Sequence, residues 1–173
     1  MNHYKIAIMG KMGSGKTTLC NYIIENNPQF KKYSFANRVK ELAVELFNMD
    51  QKDRGLLINF ANKMRDIDPD VWARYVINQT KLKDKVLIDD LRYLNEYHLL
   101  RQNGFIIVKL DISERLQENR LKKTYPDNFQ SHLDYRENIS ESNLDKLKDD
   151  DFDLVIKCDY DNVFNKIDQF LEQ

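Results

Sequence analysis

Gly10-Lys11-Met12-Gly13-Ser14-Gly15-Lys16-Thr17 has the spacing G-x-x-x-x-G-K-[ST], and three of the chain's five glycines fall inside it. An apolar run, Tyr4 to Met9, precedes it, and Thr18-Leu-Cys-Asn-Tyr-Ile-Ile24 follows with a helical pattern. Strand, glycine turn and helix form the setting that a phosphate-binding loop requires. Glycine lets the backbone fold tightly enough for successive N–H groups to converge on one phosphate at a helix N-terminus, where the helix dipole favours negative charge. The ammonium of Lys16 then reaches the β- and γ-phosphates, and the hydroxyl of Thr17 ligates Mg²⁺. The stretch from Gly10 to Thr18 is therefore expected to hold a nucleoside triphosphate.

Bulk properties narrow the setting. The chain has 173 residues, 27 Lys and Arg against 28 Asp and Glu, and a formal net charge of −1. That length suits one domain over 1–173 with a substantial core, and the charge balance gives no basic field to recruit nucleic acid. Only nine of the cations are arginines, which makes each worth inspecting. Cys20 and Cys158 stand far apart in apolar stretches and read as reduced core residues. No apolar run nears the roughly 18 residues of a membrane span, and no leader pattern is present. A cytoplasmic setting is expected. The sequons Asn78-Gln-Thr80 and Asn138-Ile-Ser140 are then incidental.

Short apolar runs alternate with longer helical patterns, which predicts an α/β fold on a parallel sheet. Strands are expected at 4–9, 32–35, 85–89, 105–111 and 153–157. The runs KVLID, FIIVKLD and DLVIK are nearly continuous in apolar residues, as in strands covered on both faces. Helices are expected at 16–26, 37–48, 54–64, 69–80, 94–103, 113–124, 141–148 and 161–172. Asp68-Pro69-Asp70 supplies an N-cap followed by proline at the first helical position. Asn103-Gly104 ends a helix with a left-handed cap. The polar and aromatic stretch 122–140 has no clean period and reads as a flap or a long surface loop.

Asp89 and Asp90 end the run Val86-Leu87-Ile88-Asp89-Asp90. A carboxylate at the end of a strand beside the phosphate-loop strand helps hold Mg²⁺ or orient a nucleophile. Periodicity does not choose between the two. Asn165-Lys-Ile-Asp168 spells the guanine-reading tetrapeptide of GTPases, yet it sits in a terminal amphipathic helix, and no Asp-x-x-Gly switch follows the third strand. Asp66-Ile-Asp68-Pro-Asp70 starts like a calcium loop, but its sixth position is Val71 and its twelfth Ile77, where glycine and glutamate are needed. His3, His98 and His132 share no spacing with acids or cysteines. The chemistry available is electrostatic, built from phosphates, Mg²⁺, Lys and Arg, which is how phosphoryl transfer proceeds.

Further motifs give the chain a resemblance. Ser34-Phe-Ala-Asn-Arg-Val-Lys-Glu-Leu42, Arg65-x-x-Asp-Pro-Asp-Val-Trp72, Asp90-Leu-Arg-Tyr-Leu-Asn-Glu96 and Ser140-Glu-Ser-Asn-Leu-Asp145 follow the phosphate loop in order. The set resembles the deoxynucleoside monophosphate kinases of phages and large DNA viruses, from Tyr4 to the last helix. The resemblance implies a three-layer P-loop NTPase fold of the nucleoside-monophosphate-kinase type: a parallel five-stranded sheet flanked by helices, with an acceptor-binding region at about 36–80 and a short lid at about 113–140.

It also implies roles. ATP would be the donor and Mg²⁺ the metal, held by Thr17 with Asp90, or alternatively Asp89. Arg92 would face the reacting phosphates or the acceptor. Lys40 and Arg65 would serve an acceptor monophosphate, and Trp72 would flank its base or belong to the core. Arg115, Arg120, Lys122, Lys123 and Arg136 would populate the lid, with Arg120 counted among the catalytic cations. Family members often have Asp where Asn37 stands and Pro where Arg38 stands, so Arg38 is either an added acceptor-side cation or a solvated helix residue.

The implied reaction moves the γ-phosphoryl group of ATP to a (deoxy)nucleoside monophosphate. A kinase of the dephospho-CoA or phosphomevalonate type is the alternative, and a non-catalytic ATP-binding module the second. The expected partner is a small-molecule nucleotide, with neither nucleic acid nor membrane, and with a homodimer left open.

Overall fold

The computed structural model describes residues 4–127, 129–130 and 146–172. The described residues form five strands: β1 (Tyr4–Gly10), β2 (Lys31–Tyr33), β3 (Lys85–Leu91), β4 (Ile106–Asp111) and β5 (Leu154–Lys157). The α-helices bounded within the described residues are α1 (Lys16–Asn26), α2 (Phe35–Phe47), α3 (Arg54–Ile67), α4 (Val71–Thr80), α5 (Leu94–Gln102), α6 (Glu114–Thr124) and α7 (Val163–Leu171). The sheet order is β2-β3-β1-β4-β5, and every pairing is parallel. The expected α/β, five-stranded parallel architecture is the one found.

Alternation along the strands divides the core in two. Ile6, Ile8, Leu87, Val108, Leu110 and Ile156 face Leu19 and Ile23 of α1 and Ile167 of α7. Ala7, Met9, Val86, Ile88 and Ile107 face Phe35, Val39, Ala61, Trp72, Val76 and Leu100 from α2 to α5. Each fully buried Ile or Leu contributes about 1.5–3 kcal/mol through its burial. The sheet is thus the middle of three layers. After β1 the chain runs to β2 on one side, and after β3 it crosses β1 to reach β4, so the strand order switches at the carboxyl end of β1. Crevices at such switch points receive ligands in open α/β sheets.

Several boundaries moved, each for a visible reason. β2 ends at Tyr33, and α2 begins at Phe35 instead of 37, because the Phe35 and Ala36 N–H groups are drawn to Asp90. α4 begins at Val71: Asp68 closes a turn, accepting from the Asp70 N–H at 3.0 Å through its side chain and from the Val71 N–H at 3.1 Å through its carbonyl. The Asn162 side chain caps α7 at the Asn165 N–H, and 165–168 lies within that helix. Gly104 follows α5 with φ +75°, the left-handed cap expected there. The helix expected at 141–148 and the lid stretch at 131–140, with Arg136, lie outside the described residues, except 146–148, which form a bend.

Candidate functional site

The loop from Lys11 to Gly15 lies between β1 and α1, with Gly13 at φ +79° and Gly15 at φ +98°, conformations that L side chains rarely adopt. A Cβ on Gly10 would meet Ser14 Oγ at 2.6 Å and the Leu110 carbonyl at 2.7 Å, so glycine is required by space as well. Lys16 Nζ donates to the carbonyl oxygens of Gly10 and, at 3.1 Å, of Lys11. Ser14 is 2 % exposed, and its hydroxyl has no hydrogen-bond partner among the described residues. A buried polar atom at the heart of a glycine cradle, below a helix N-terminus, suits an anionic ligand.

Thr17 Oγ1 donates to Asp89 Oδ2 at 3.1 Å, and Lys32 Nζ lies 2.5 Å from the same oxygen. Asp90 points the other way. It accepts from Ser34 Oγ at 2.6 Å and from the N–H groups of Phe35 and Ala36 at 3.1 and 3.0 Å, capping α2. Burial pushes its carboxyl above the ordinary carboxylate value, against the pull of those hydrogen bonds. Of the two carboxylates expected near Mg²⁺, strand alternation aims Asp89 at the phosphate loop beside Thr17 and Asp90 at the start of α2.

Helix α6 clips onto the loop from above. Arg120 Nη1 donates to the carbonyls of Gly13 and Ser14 at 3.1 and 3.0 Å, and Gln117 Nε2 donates to that of Met12 at 2.8 Å. Cys158 lies beneath it, its thiol 3.7 Å from the Ser14 carbonyl. Burial, reinforced by the Asp89 charge, pushes the Cys20 thiol up to about 12, which removes it as a nucleophile.

A second cleft of about 340 Å³ opens between α2, α3 and the turn after β3. Lys40, Lys52, Arg54, Arg65 and Arg92 line it with two carboxylates, Asp90 and Glu96, over an apolar floor that includes Val39 and Leu57. Met12, Asp90 and Arg92 line this cleft and the loop cleft alike, so the two open onto each other. Arg65 stacks on the Tyr93 ring at 4.4 Å and lies 3.7 Å from Glu96.

Trp72 is not at either cleft. It is 3 % exposed and donates from Nε1 to the Ala61 carbonyl at 3.2 Å, with Phe60 edge-on to it. Of its two expected places it takes the core. Replacing Trp72 with Phe should lower stability by about 1–2 kcal/mol, from the lost hydrogen bond and the smaller ring. Substrate KM values should not move; a shifted KM in that variant would return Trp72 to the site. Arg38 also stands away from both clefts, paired with Glu41 at 3.0 Å and Glu45 at 3.6 Å beside the Tyr75 ring. Its helical position turns it toward α4. Among the described residues no His, Cys, Asp and Glu group of three or more has metal-binding geometry, and no helix is long and apolar enough to cross a membrane.

Lys32, Gln117 and Tyr93 carry no role in the sequence reading, and Glu96 enters it only as the end of the Asp90-to-Glu96 motif; the geometry gives each a place at the site. Lys32 belongs to a three-residue edge strand with two exposed lysines, which carries no signal of its own.

Comparison with known proteins adds the wider context. A family model described as an AAA domain matches residues 6–142. No curated protein matches the chain in sequence. Among solved structures, a sugar kinase from Janibacter sp. HTCC2649 is similar at TM-score 0.64 and 16 % identity, over 98 % of this chain and 95 % of that one. Shikimate kinase from Acinetobacter baumannii, in complex with shikimate, is similar at TM-score 0.58 and 19 % identity, over 98 % and 93 %. Shikimate kinase from Bacteroides thetaiotaomicron is similar at TM-score 0.59 and 13 % identity, over 98 % and 99 %.

Proposed function

The chain belongs to the AAA domain family and carries the fold of the P-loop kinases, and we propose that it transfers the γ-phosphoryl group of ATP to a (deoxy)nucleoside monophosphate, giving the diphosphate. One observation carries the acceptor assignment: five cationic side chains, Lys40, Lys52, Arg54, Arg65 and Arg92, line the second cleft. A neutral sugar or a single carboxylate such as that of shikimate needs far less positive charge. A monophosphate brings about two negative charges, and the moving phosphoryl group brings more.

In this reading the loop N–H groups, Lys16 and Arg120 hold the donor phosphates. Thr17 and Asp89 would hold Mg²⁺, which when bound supplies neutralisation of the charge shared between β- and γ-phosphates. Arg65 binds the acceptor phosphate, for which a guanidinium offers paired donors. Arg92, on the wall common to both clefts, meets the charge that develops between donor and acceptor.

Coupled ADP release tests the assignment, with dAMP, dCMP, dGMP and dTMP set against shikimate, dephospho-CoA and phosphomevalonate. Turnover with a nucleoside monophosphate alone is the expected result; turnover with one of the other three, and none with nucleotides, overturns it. Arg65→Ala should raise the monophosphate KM at least tenfold, about 1.4 kcal/mol, and leave the ATP KM nearly unchanged. Arg92→Ala should act on kcat instead. If Arg65→Ala leaves monophosphate kinetics intact, Arg65 leaves the site.

A further inference from the structure

Glu96 is 3 % exposed, yet it opens onto a cleft full of cations. Its two oxygens do different things. Oε2 accepts from the N–H groups of Arg92 and Tyr93 at 3.0 and 3.1 Å, pinning the turn that carries Arg92. Oε1 lies 3.7 Å from Arg65 Nη2, the guanidinium that stacks on Tyr93. One carboxylate therefore ties α3 to the start of α5 at the mouth of the acceptor cleft. A helix cap needs only Oε2. The second oxygen has a different use.

We propose that Glu96 is a positioning residue that holds Arg65 ready beside the Arg92 turn and yields it to the acceptor phosphate, taking a proton from solvent as it does so. The inference rests on the monophosphate reading above. The groups around Glu96 are Arg65 from α3, Asp90 from β3, Arg92 and Tyr93 from the turn, and Lys40 of α2 across the cleft. On the α4 side, Asp70 is taken up by Asn95 and Arg74, and Asp68 by Arg74. Arg65 is the side-chain cation that favours the charged form of Glu96, while burial and Asp90 oppose it. Burial is the largest influence and pushes the Glu96 carboxyl from 4.5 up to about 7. A phosphate that engages Arg65 removes the attraction and adds repulsion, so the carboxylate protonates.

The sign follows from linkage. Protonated Glu96 favours the bound state, so monophosphate affinity should fall as pH rises above about 7, where the phosphate is already dianionic with its second pKa near 6. Folding has the same direction. Between about 4.5 and 7 the native state holds a proton that the unfolded chain has lost, so the Glu96 contribution to stability is lost as pH rises through that window.

Calorimetric titration of the full chain with dAMP, dCMP, dGMP and dTMP, in buffers of different ionisation enthalpy, reads the proton count directly. Binding should take up about half a proton or more near pH 7.5. Glu96→Gln keeps an oxygen for the two N–H groups and cannot titrate. In that variant uptake should vanish, affinity should become flat with pH, and at pH 8.5 binding should be about threefold tighter than in the native protein or better. Buffer-independent heats in the native protein, or uptake that persists in Glu96→Gln, overturn the inference while leaving the acceptor reading in place. Failure of all four nucleotides to bind removes both. A Glu96→Gln variant that fails to fold still leaves the native proton count as a decisive measurement.

Discussion

Lys16→Met is expected to lower kcat by roughly 10³-fold or more, about 4 kcal/mol of barrier, and to leave the melting temperature almost unmoved. Lys16 Nζ is now held by the Gly10 and Lys11 carbonyls at the rim of the loop. Those are bonds an ammonium exchanges for phosphate oxygens at small cost, since both partners remain near water. Methionine matches the length of the stem and removes the charge. A single-turnover measurement at saturating ATP separates the chemical step from binding. Native turnover in the variant would remove the donor site from the phosphate loop, and the kinase reading with it.

Asp89→Asn should lower turnover by about 10²-fold, about 2.7 kcal/mol, and raise the Mg²⁺ concentration needed for half-maximal rate. The carboxylate that receives the Thr17 hydroxyl is the one that can share a cation with it. Asp90→Asn should act differently. Asn can accept with one oxygen where Asp90 accepts three hydrogen bonds at the start of α2, so the variant should lose about 1–3 kcal/mol of stability. Its Mg²⁺ requirement should stay where it was. Thermal melting and a Mg²⁺ titration on both variants decide the matter: metal sensitivity in Asp90→Asn and none in Asp89→Asn would restore the opposite assignment.

The central strands were legible because burial on both faces leaves long apolar runs, as in KVLID and FIIVKLD. The phosphate loop was legible because its geometry demands glycine at set intervals. β2 was displaced because its three residues, Lys31 to Tyr33, carry no periodicity, and because its end depends on a carboxylate 56 residues away. Alternation says that Asp89 and Asp90 face opposite layers. Which layer holds α1 is settled only by the sheet order. Trp72 sits in a family-like motif, and its burial follows from the Ala61 carbonyl of another helix. Glu96 closes the Asp90-to-Glu96 motif in the sequence with no role of its own, and its second role needs Arg65, 31 residues earlier, to be folded against it. The grip of Gln117 and Arg120 on the loop spans more than 100 residues and left no local trace.

The opposed directions of Asp89 and Asp90 have a mechanical side. Pairing between β1 and β3 slips by one residue here, Ala7 facing Ile88 but Met9 facing Leu91, so the pair occupies a bulge. The described residues contain no cis peptide bond, and a trans unit sets these two Cα atoms about 3.8 Å apart. A single rigid plate thus carries the partner of Thr17 on one edge and the anchor of α2 on the other. The hydrogen bonds that start α2 and the carboxylate beside Thr17 are therefore set by adjoining residues of one strand end.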